Sequence, residues 1–273
     1  MTAAFDLSGK TCLLTGAAGL LGREFADVLA KSNAQLVVVD QSSAGCNELE
    51  EQLVRRYPRT QILAYRADVT NPAEVVALTE AVMQRFGSVY ALINNAAIDD
   101  KFEDASAALA QSRFESYPLE RWQRMLNVNV TGPFLCCQAF GARMAEAGAG
   151  SIVNIASTYA LVAPQQDLYL TPEGRQAFFK GAAYPTTKSA LLGLTRYLAS
   201  YWGARGVRVN ALCPGGVENG QEAFFVNEYA KRTPLRRMAK PTDYRDALAF
   251  LVSDASAYMT GANLVIDGGF TTW

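Results

Sequence analysis

Seven short runs rich in aliphatic and β-branched residues recur along the chain, with longer helical patterns between most of them. The runs are KTCLLTG (10–16), AQLVVVD (34–40), QILAYRADV (61–69), VYALINNAA (89–97), GSIVNIAS (150–157), VRVNALCPG (207–215) and NLVIDGG (263–269). Helical patterns fall at 20–31, 45–56, 72–86, 120–147, 183–203 and 242–252. Strands that are apolar along their whole length need cover on both faces, and helical crossovers join parallel neighbours. The alternation predicts one α/β domain over 1–273, a Rossmann-type doubly wound parallel sheet of about seven strands with helices on both faces. A nucleotide-binding half is expected over about 1–148, and a catalytic and substrate half over about 149–273.

Composition narrows the function classes. Half of the 273 residues are apolar, enough for one large core, and the formal net charge is −1. A near-neutral chain lacks the basic face that phosphate neutralisation requires, so no nucleic-acid partner is expected. No apolar run reaches the roughly 20 residues that span a bilayer, and the opening residues read without a signal peptide. Five cysteines without CxxC spacing suit reduced thiols in the cytoplasm, and with no histidine in the chain no metal site is expected.

The first strand runs into TGAAGLLGREFADVLA. Gly16, Gly19 and Gly22 permit a tight turn, close backbone approach and tight helix packing, and Leu20 and Leu21 open a helix whose N-terminus suits a pyrophosphate. The second strand ends at Asp40, followed by Gln41 rather than a basic residue. A carboxylate there accepts from both ribose hydroxyls of an adenosine and repels a 2′-phosphate, which favours NAD over NADP. Asp68 with Val69, at the third strand's end, is placed to meet the adenine. Asn94 and Asn95 can pin loops at the fourth, beside Ala96 and Ala97.

Tyr184 and Lys188 stand four apart at the start of the helix in AAYPTTKSALLGLTRYLA, and so share a face. A phenol titrates near 10, and a neighbouring ammonium shifts it toward the phenolate needed of a base near neutral pH. Pro185 suits the first helical turn. Ser157 closes the fifth strand, and Asn129 is a polar residue in the middle of the 120–147 helix. Long connections at 98–119 and 158–183 leave the expected ligand edge of the sheet.

Together TGAAGLLG, NNAA, NVNVTG, VNIAS, YPTTK, VRVNALCPGG and YMTGANLVIDGG resemble the short-chain dehydrogenase/reductase family over essentially the whole chain. The resemblance implies that Tyr184 is the acid/base and that Lys188 lowers its pKa while holding the ribose. It further implies that Ser157 hydrogen-bonds the reacting oxygen and that Asn129 holds a water in a proton relay. Pro214, Gly215 and Val217 fall to the nicotinamide end, with Asn219 near the place of a usual threonine. Homodimers or homotetramers through the 120–147 and 183–203 helices are implied as well.

Four features depart from the family pattern: the Gly16–Gly19–Gly22 spacing, Ala97 in place of a glycine, Asn219 near the place of the absent threonine, and a long Ser157–Tyr184 interval. That interval carries Tyr159, Gln165, Gln166, Arg175 and Lys180, a polar set suited to a small hydroxylated or phosphorylated substrate, with Arg175 and Lys180 as phosphate candidates. YLASYW, CPGGVENGQ, EYAKRTPLRRMAKP and DGGFTTW look like flagellin-modification or surface-sugar oxidoreductases of nonulosonate pathways. The leading expectation is an NAD-dependent dehydrogenase of a sugar, sugar phosphate or nucleotide-linked sugar. A 3-oxoacyl-thioester reductase and a non-catalytic NAD-binding regulator are the alternatives, and the chain is short for a sugar-nucleotide dehydratase.

Overall fold

A computed structural model of the chain describes residues 5–100 and 105–273; positions 101–104 of the first long connection lie outside them. Seven strands form one parallel sheet in the order β3-β2-β1-β4-β5-β6-β7. They are β1 (Thr11–Thr15), β2 (Gln35–Asp40), β3 (Ile62–Arg66), β4 (Ala91–Asn94), β5 (Gly150–Ile155), β6 (Val207–Pro214) and β7 (Asn263–Ile266). The helices are α1 (Leu20–Lys31), α2 (Ser43–Arg56), α3 (Pro72–Phe86), α4 (Ala105–Ser112), α5 (Leu119–Leu126), α6 (Gly132–Cys136), α7 (Ala142–Ala147), α8 (Ala183–Trp202), α9 (Ala223–Arg232) and α10 (Arg245–Val252).

Successive residues of a strand point to opposite faces, so each apolar run feeds two cores. Leu14, Leu36 and Val38 enter one, with Phe25 and Leu29 of α1, Leu53 of α2 and Leu248 of α10. Leu13, Val37 and Val39 enter the other, with Leu78 of α3, Phe140, and Leu198 and Trp202 of α8. The strand order reverses between β1 and β4, which opens a crevice at the carboxyl ends of those two strands.

Several boundaries differ from the periodicity. β3 stops at Arg66 because Asp68 turns the chain, its carboxylate accepting from the Thr70 backbone N–H at 2.9 Å and the Thr70 hydroxyl at 2.8 Å. The 120–147 stretch begins at Leu119 and contains two π-helical turns, Asn127–Thr131 and Cys137–Gly141, between α5, α6 and α7. Cys136 and Cys137, adjacent on this rod, are both buried. α4 and α9 are not among the helical patterns read from the sequence, although α9 carries Phe225 and Tyr229 at i and i+4. Among the described residues no helix is long and apolar enough to cross a membrane.

Candidate active site

The glycine-rich turn is built for close approach. Gly16 takes φ +63°, and a Cβ there would stand 2.7 Å from the Ala96 Cα. A Cβ on Gly22 would stand 2.2 Å from the Gly16 carbonyl oxygen, so α1 packs directly on the turn. Gly19 caps α1 without a side-chain bond, which leaves the first-turn N–H groups to a ligand. The end of β4 clamps the turn. Asn95 Nδ2 donates to the carbonyls of Thr15 (3.1 Å) and Gly16 (2.9 Å), and the backbone N–H groups of Asn95 and Ala96 donate to Thr15 Oγ1, each at 3.1 Å. The loop-pinning expected of Asn95 is realised. Asn94 instead turns inward and donates to Asn154 Oδ1 at 2.8 Å. Among the described residues, positive φ outside glycine is confined to Asn33 and Arg236, so the backbone at Ala97 accommodates alanine.

Asp40 ends β2 with both carboxylate oxygens engaged, Oδ2 accepting from Ala18 N and Oδ1 from Ser42 N, each at 3.1 Å. A cavity of about 280 Å³ joins Gly16, Gly19, Leu20, Leu21 and Asp40 to Ala97, Tyr184, Lys188 and Pro214. A second, of about 560 Å³, extends from Asp40 past Asp68 and Val69 to Ala96 and Ala97. Cradles that any Cβ would fill, an anion-ready helix start and a carboxylate at the β2 end fit a dinucleotide lying across the reversal point. Val217 pairs with Ala239, and Gly216 N donates to Tyr229 Oη at 2.6 Å, which fixes the turn after β6. Gly215 lies in that turn. Asn219 is exposed, its N–H donating to Gln221 Oε1, and the structure does not bring it to either of these two cavities.

At the inner end, Ser157 lies two residues past β5, buried, with Oγ accepting from Tyr159 N at 3.1 Å and near enough to the Tyr184 phenol to favour its ionised form. Tyr184 is the second residue of α8, with Pro185 in the first turn. Lys188 is buried one turn on; its Nζ donates to the Ile155 carbonyl at 2.8 Å and stands 5.6 Å from the Tyr184 ring centroid. Asn129, in the first π-helical turn, is buried. Its Oδ1 accepts from Ile98 N at 2.8 Å, and its Nδ2 donates to Ile98 O at 2.9 Å and to Thr187 Oγ1 at 3.1 Å. Thr187 Oγ1 in turn donates to the Tyr184 carbonyl at 2.8 Å. The structure thus shows Asn129 tying the β4 loop to the α8 start through direct bonds.

The expected downward shift of Tyr184 is not what the protein by itself produces. Burial and the Asp99 carboxylate push the phenol above its ordinary range, against the opposing influence of the Ser157 hydroxyl. The same burial pushes the Lys188 amine down to about 8. Burial disfavours whichever form is charged, so it raises an acid and lowers a base.

The connection 158–183 folds back on itself. Leu170 pairs with Gln176 across a tip containing Gly174, where Arg175 is exposed. Gln165 is exposed too, and neither lines the two cavities beside Asp40. Gln166 spends its amide on the loop itself, accepting from Lys180 N at 2.8 Å and donating to Lys180 O at 3.1 Å. Tyr159 shares a 3.0 Å hydroxyl–hydroxyl bond with Tyr169 inside an aromatic cluster with Phe225, Tyr229 and Phe270. This cluster escapes the sequence reading, although Phe225 and Tyr229 at i and i+4 give its signal. The Asp99–Lys180 ion pair escapes it also.

Comparison with known proteins agrees with this geometry. A family model described as "Enoyl-(Acyl carrier protein) reductase" matches residues 16–271. A D-threitol dehydrogenase of Mycolicibacterium smegmatis is 38% identical, over 98% of this chain and 95% of its own length. A galactitol 2-dehydrogenase (L-tagatose-forming) of Cereibacter sphaeroides is 32% identical over 98% of each chain. The crystal structure of a gluconate 5-dehydrogenase from Burkholderia cenocepacia, in complex with NADP and tartrate, superposes with a TM-score of 0.82 at 28% identity, covering 99% of this chain and 98% of that one.

Proposed function

Because the chain belongs to the short-chain dehydrogenase/reductase family, we propose that it is an NAD-dependent dehydrogenase of a small polyhydroxylated substrate, a polyol or a sugar. The observation that carries the reading is the convergence of Ser157, Tyr184 and Lys188 on the crevice that also holds Gly16, Gly19 and Asp40. Ser157 holds the substrate oxygen, and Tyr184 takes the proton of the hydroxyl being oxidised or returns it in reduction. Lys188, fixed on the Ile155 carbonyl, favours the phenolate from beneath the ring and is placed to hold the ribose. Bound NAD supplies the hydride acceptor and a positive ring charge that offsets the burial cost of the phenolate. Leu20, Leu21, Asp68, Val69, Asn95, Ala96, Ala97, Pro214, Gly215 and Val217 complete the dinucleotide groove.

The preference for NAD rests on Asp40, whose charge opposes a 2′-phosphate, although the gluconate 5-dehydrogenase above carries NADP. A polyol substrate rests on the names of the two relatives, and these favour free polyols over the nonulosonate sugars suggested by YLASYW and DGGFTTW. The description of the matched family model supports one second reading, a reductase of acyl thioesters. Tyr197 and Tyr201, stacked at 5.8 Å and exposed on α8, support self-association through that helix. Five buried thiols support a reducing, cytoplasmic setting.

The test is NADH formation or consumption with D-threitol, galactitol, sugar phosphates, nucleotide sugars and 3-oxoacyl thioesters, with Tyr184→Phe as blank. Polyol oxidation with NAD supports the reading, and turnover of thioesters alone replaces it.

A further inference from the structure

Two long connections meet above the catalytic tyrosine, one after β4 and one before α8. They are joined there by an ion pair between the Lys180 Nζ and an Asp99 carboxylate oxygen. The Lys180 ammonium lies 4.7 Å from the Tyr184 ring centroid, nearer than that of Lys188. Both partners are held from behind. Asn129 grips the Ile98 peptide unit next to Asp99, and Gln166 grips both backbone groups of Lys180. The neighbouring Asp100 donates its N–H to Asp99 Oδ1 at 2.8 Å, and its own carboxylate accepts from Tyr117 Oη at 2.8 Å. Asp99 itself faces the site, and its charge is felt at Tyr184, Tyr159 and Lys188.

Such a pair does not exhaust its partners. An ammonium carries three donors and a carboxylate about four acceptor positions. The Asp99 side chain remains 39% exposed and that of Lys180 14%. A donor and an acceptor side by side match the hydroxyl of an alcohol, which both gives and accepts a hydrogen bond. A phosphate, acceptor-only and doubly charged, is matched by the ammonium and repelled by the carboxylate.

Resting on the polyol reading above, we propose that the Asp99–Lys180 pair is the substrate-recognition element of this site. It binds the hydroxyl next to the one being oxidised and so selects a neutral vicinal diol over a phosphorylated or singly hydroxylated alcohol. Lys180, read from sequence as a phosphate candidate, serves a neutral ligand because Asp99 cancels its charge. A site built to hydrogen-bond a hydroxyl discriminates strongly against the analogue that lacks it.

The experiment compares kcat/KM for D-threitol and for butane-1,3-diol, whose secondary hydroxyl has no hydroxyl on either adjacent carbon, in wild type, Asp99→Asn and Lys180→Met. NADH binding, read by fluorescence, reports that each variant is folded. Wild type is expected to prefer threitol, and each variant to lose that preference by about tenfold or more through KM, with butane-1,3-diol turnover retained. Inorganic phosphate is expected to compete with threitol in Asp99→Asn and not in wild type. An active wild type whose preference survives in both variants overturns the inference and leaves the proposed function standing. A wild type that oxidises neither compound overturns both. Should Lys180→Met fail to bind NADH, the Asp99→Asn ratio and its phosphate inhibition decide alone.

Discussion

Asn129 holds Ile98 by both sides of its backbone, accepting from the N–H at 2.8 Å and donating to the carbonyl at 2.9 Å, from inside a π-helical turn. π-Turns recur at functional sites, and this one lets a buried amide act as a clamp between the β4 loop and α8. Asn129→Ala leaves the Ile98 and Thr187 partners unmatched in a buried setting, at a cost of about 1–3 kcal/mol. The expected outcome is a lower urea midpoint together with a fall in kcat. A variant that loses stability alone assigns Asn129 to the fold and not to the reaction.

Tyr184→Phe keeps the ring beneath the Lys180 ammonium and removes only the hydroxyl. Loss of the acid/base lowers kcat by roughly 10²–10⁴-fold. NADH affinity is expected to stay at the wild-type value, because the phenol is a proton donor rather than a strut. Retained turnover takes the acid/base role away from Tyr184.

Asp40 accepts from Ala18 N and Ser42 N, and so ties the glycine-rich turn to the start of α2. Asp40→Ala removes the charge opposing a 2′-phosphate, a repulsion of several kcal/mol where two such charges meet. The ratio of kcat/KM with NADP to that with NAD is expected to rise by at least about tenfold. An unchanged ratio, measured on the same alcohol, places cofactor choice elsewhere.

Lys188 supplies the pH dependence. Burial lowers its amine from 10.5 to about 8, so between these values the unfolded chain binds more protons than the folded one. The stability contribution of the group therefore rises with pH across that window and is flat below it. The unfolding free energy of wild type minus that of Lys188→Met is expected to climb by on the order of 3 kcal/mol from pH 8 to 10.5. Urea melts at a series of pH values measure it, and a difference that stays level contradicts a buried, shifted amine.

What the sequence discloses and what it hides separate along physical lines. Apolar runs such as QLVVVD have to be central parallel strands, because no other arrangement covers both of their faces. Gly16 and Asn95 are legible for a similar reason, since a tight turn and its clamp leave few substitutes. The long connections obey no such periodicity. Gln165, Gln166 and Arg175 attract attention as polar residues near Tyr184, yet Gln165 and Arg175 face solvent, and Gln166 stitches its own loop while lining a cavity of about 740 Å³ with Tyr159 and Lys180. The Asp99–Lys180 contact joins residues 81 positions apart through two irregular segments, and no local pattern encodes such a meeting. Tyr184 shows a different limit. Proximity to Lys188 is legible from the i, i+4 spacing, whereas the depth of burial that reverses the shift depends on every element around it.

The strand order has a consequence for how the chain meets its dinucleotide. Because β1 and β4 are neighbours while β2 and β6 lie on opposite flanks, the groove draws its walls from Gly16 near one terminus and Pro214 toward the other. A nascent or truncated polypeptide can raise one wall but not both. A dinucleotide bound there is expected to act as a staple across early and late segments, and its protection against proteolysis is expected to extend to the entire molecule at once, growing with ligand concentration by mass action.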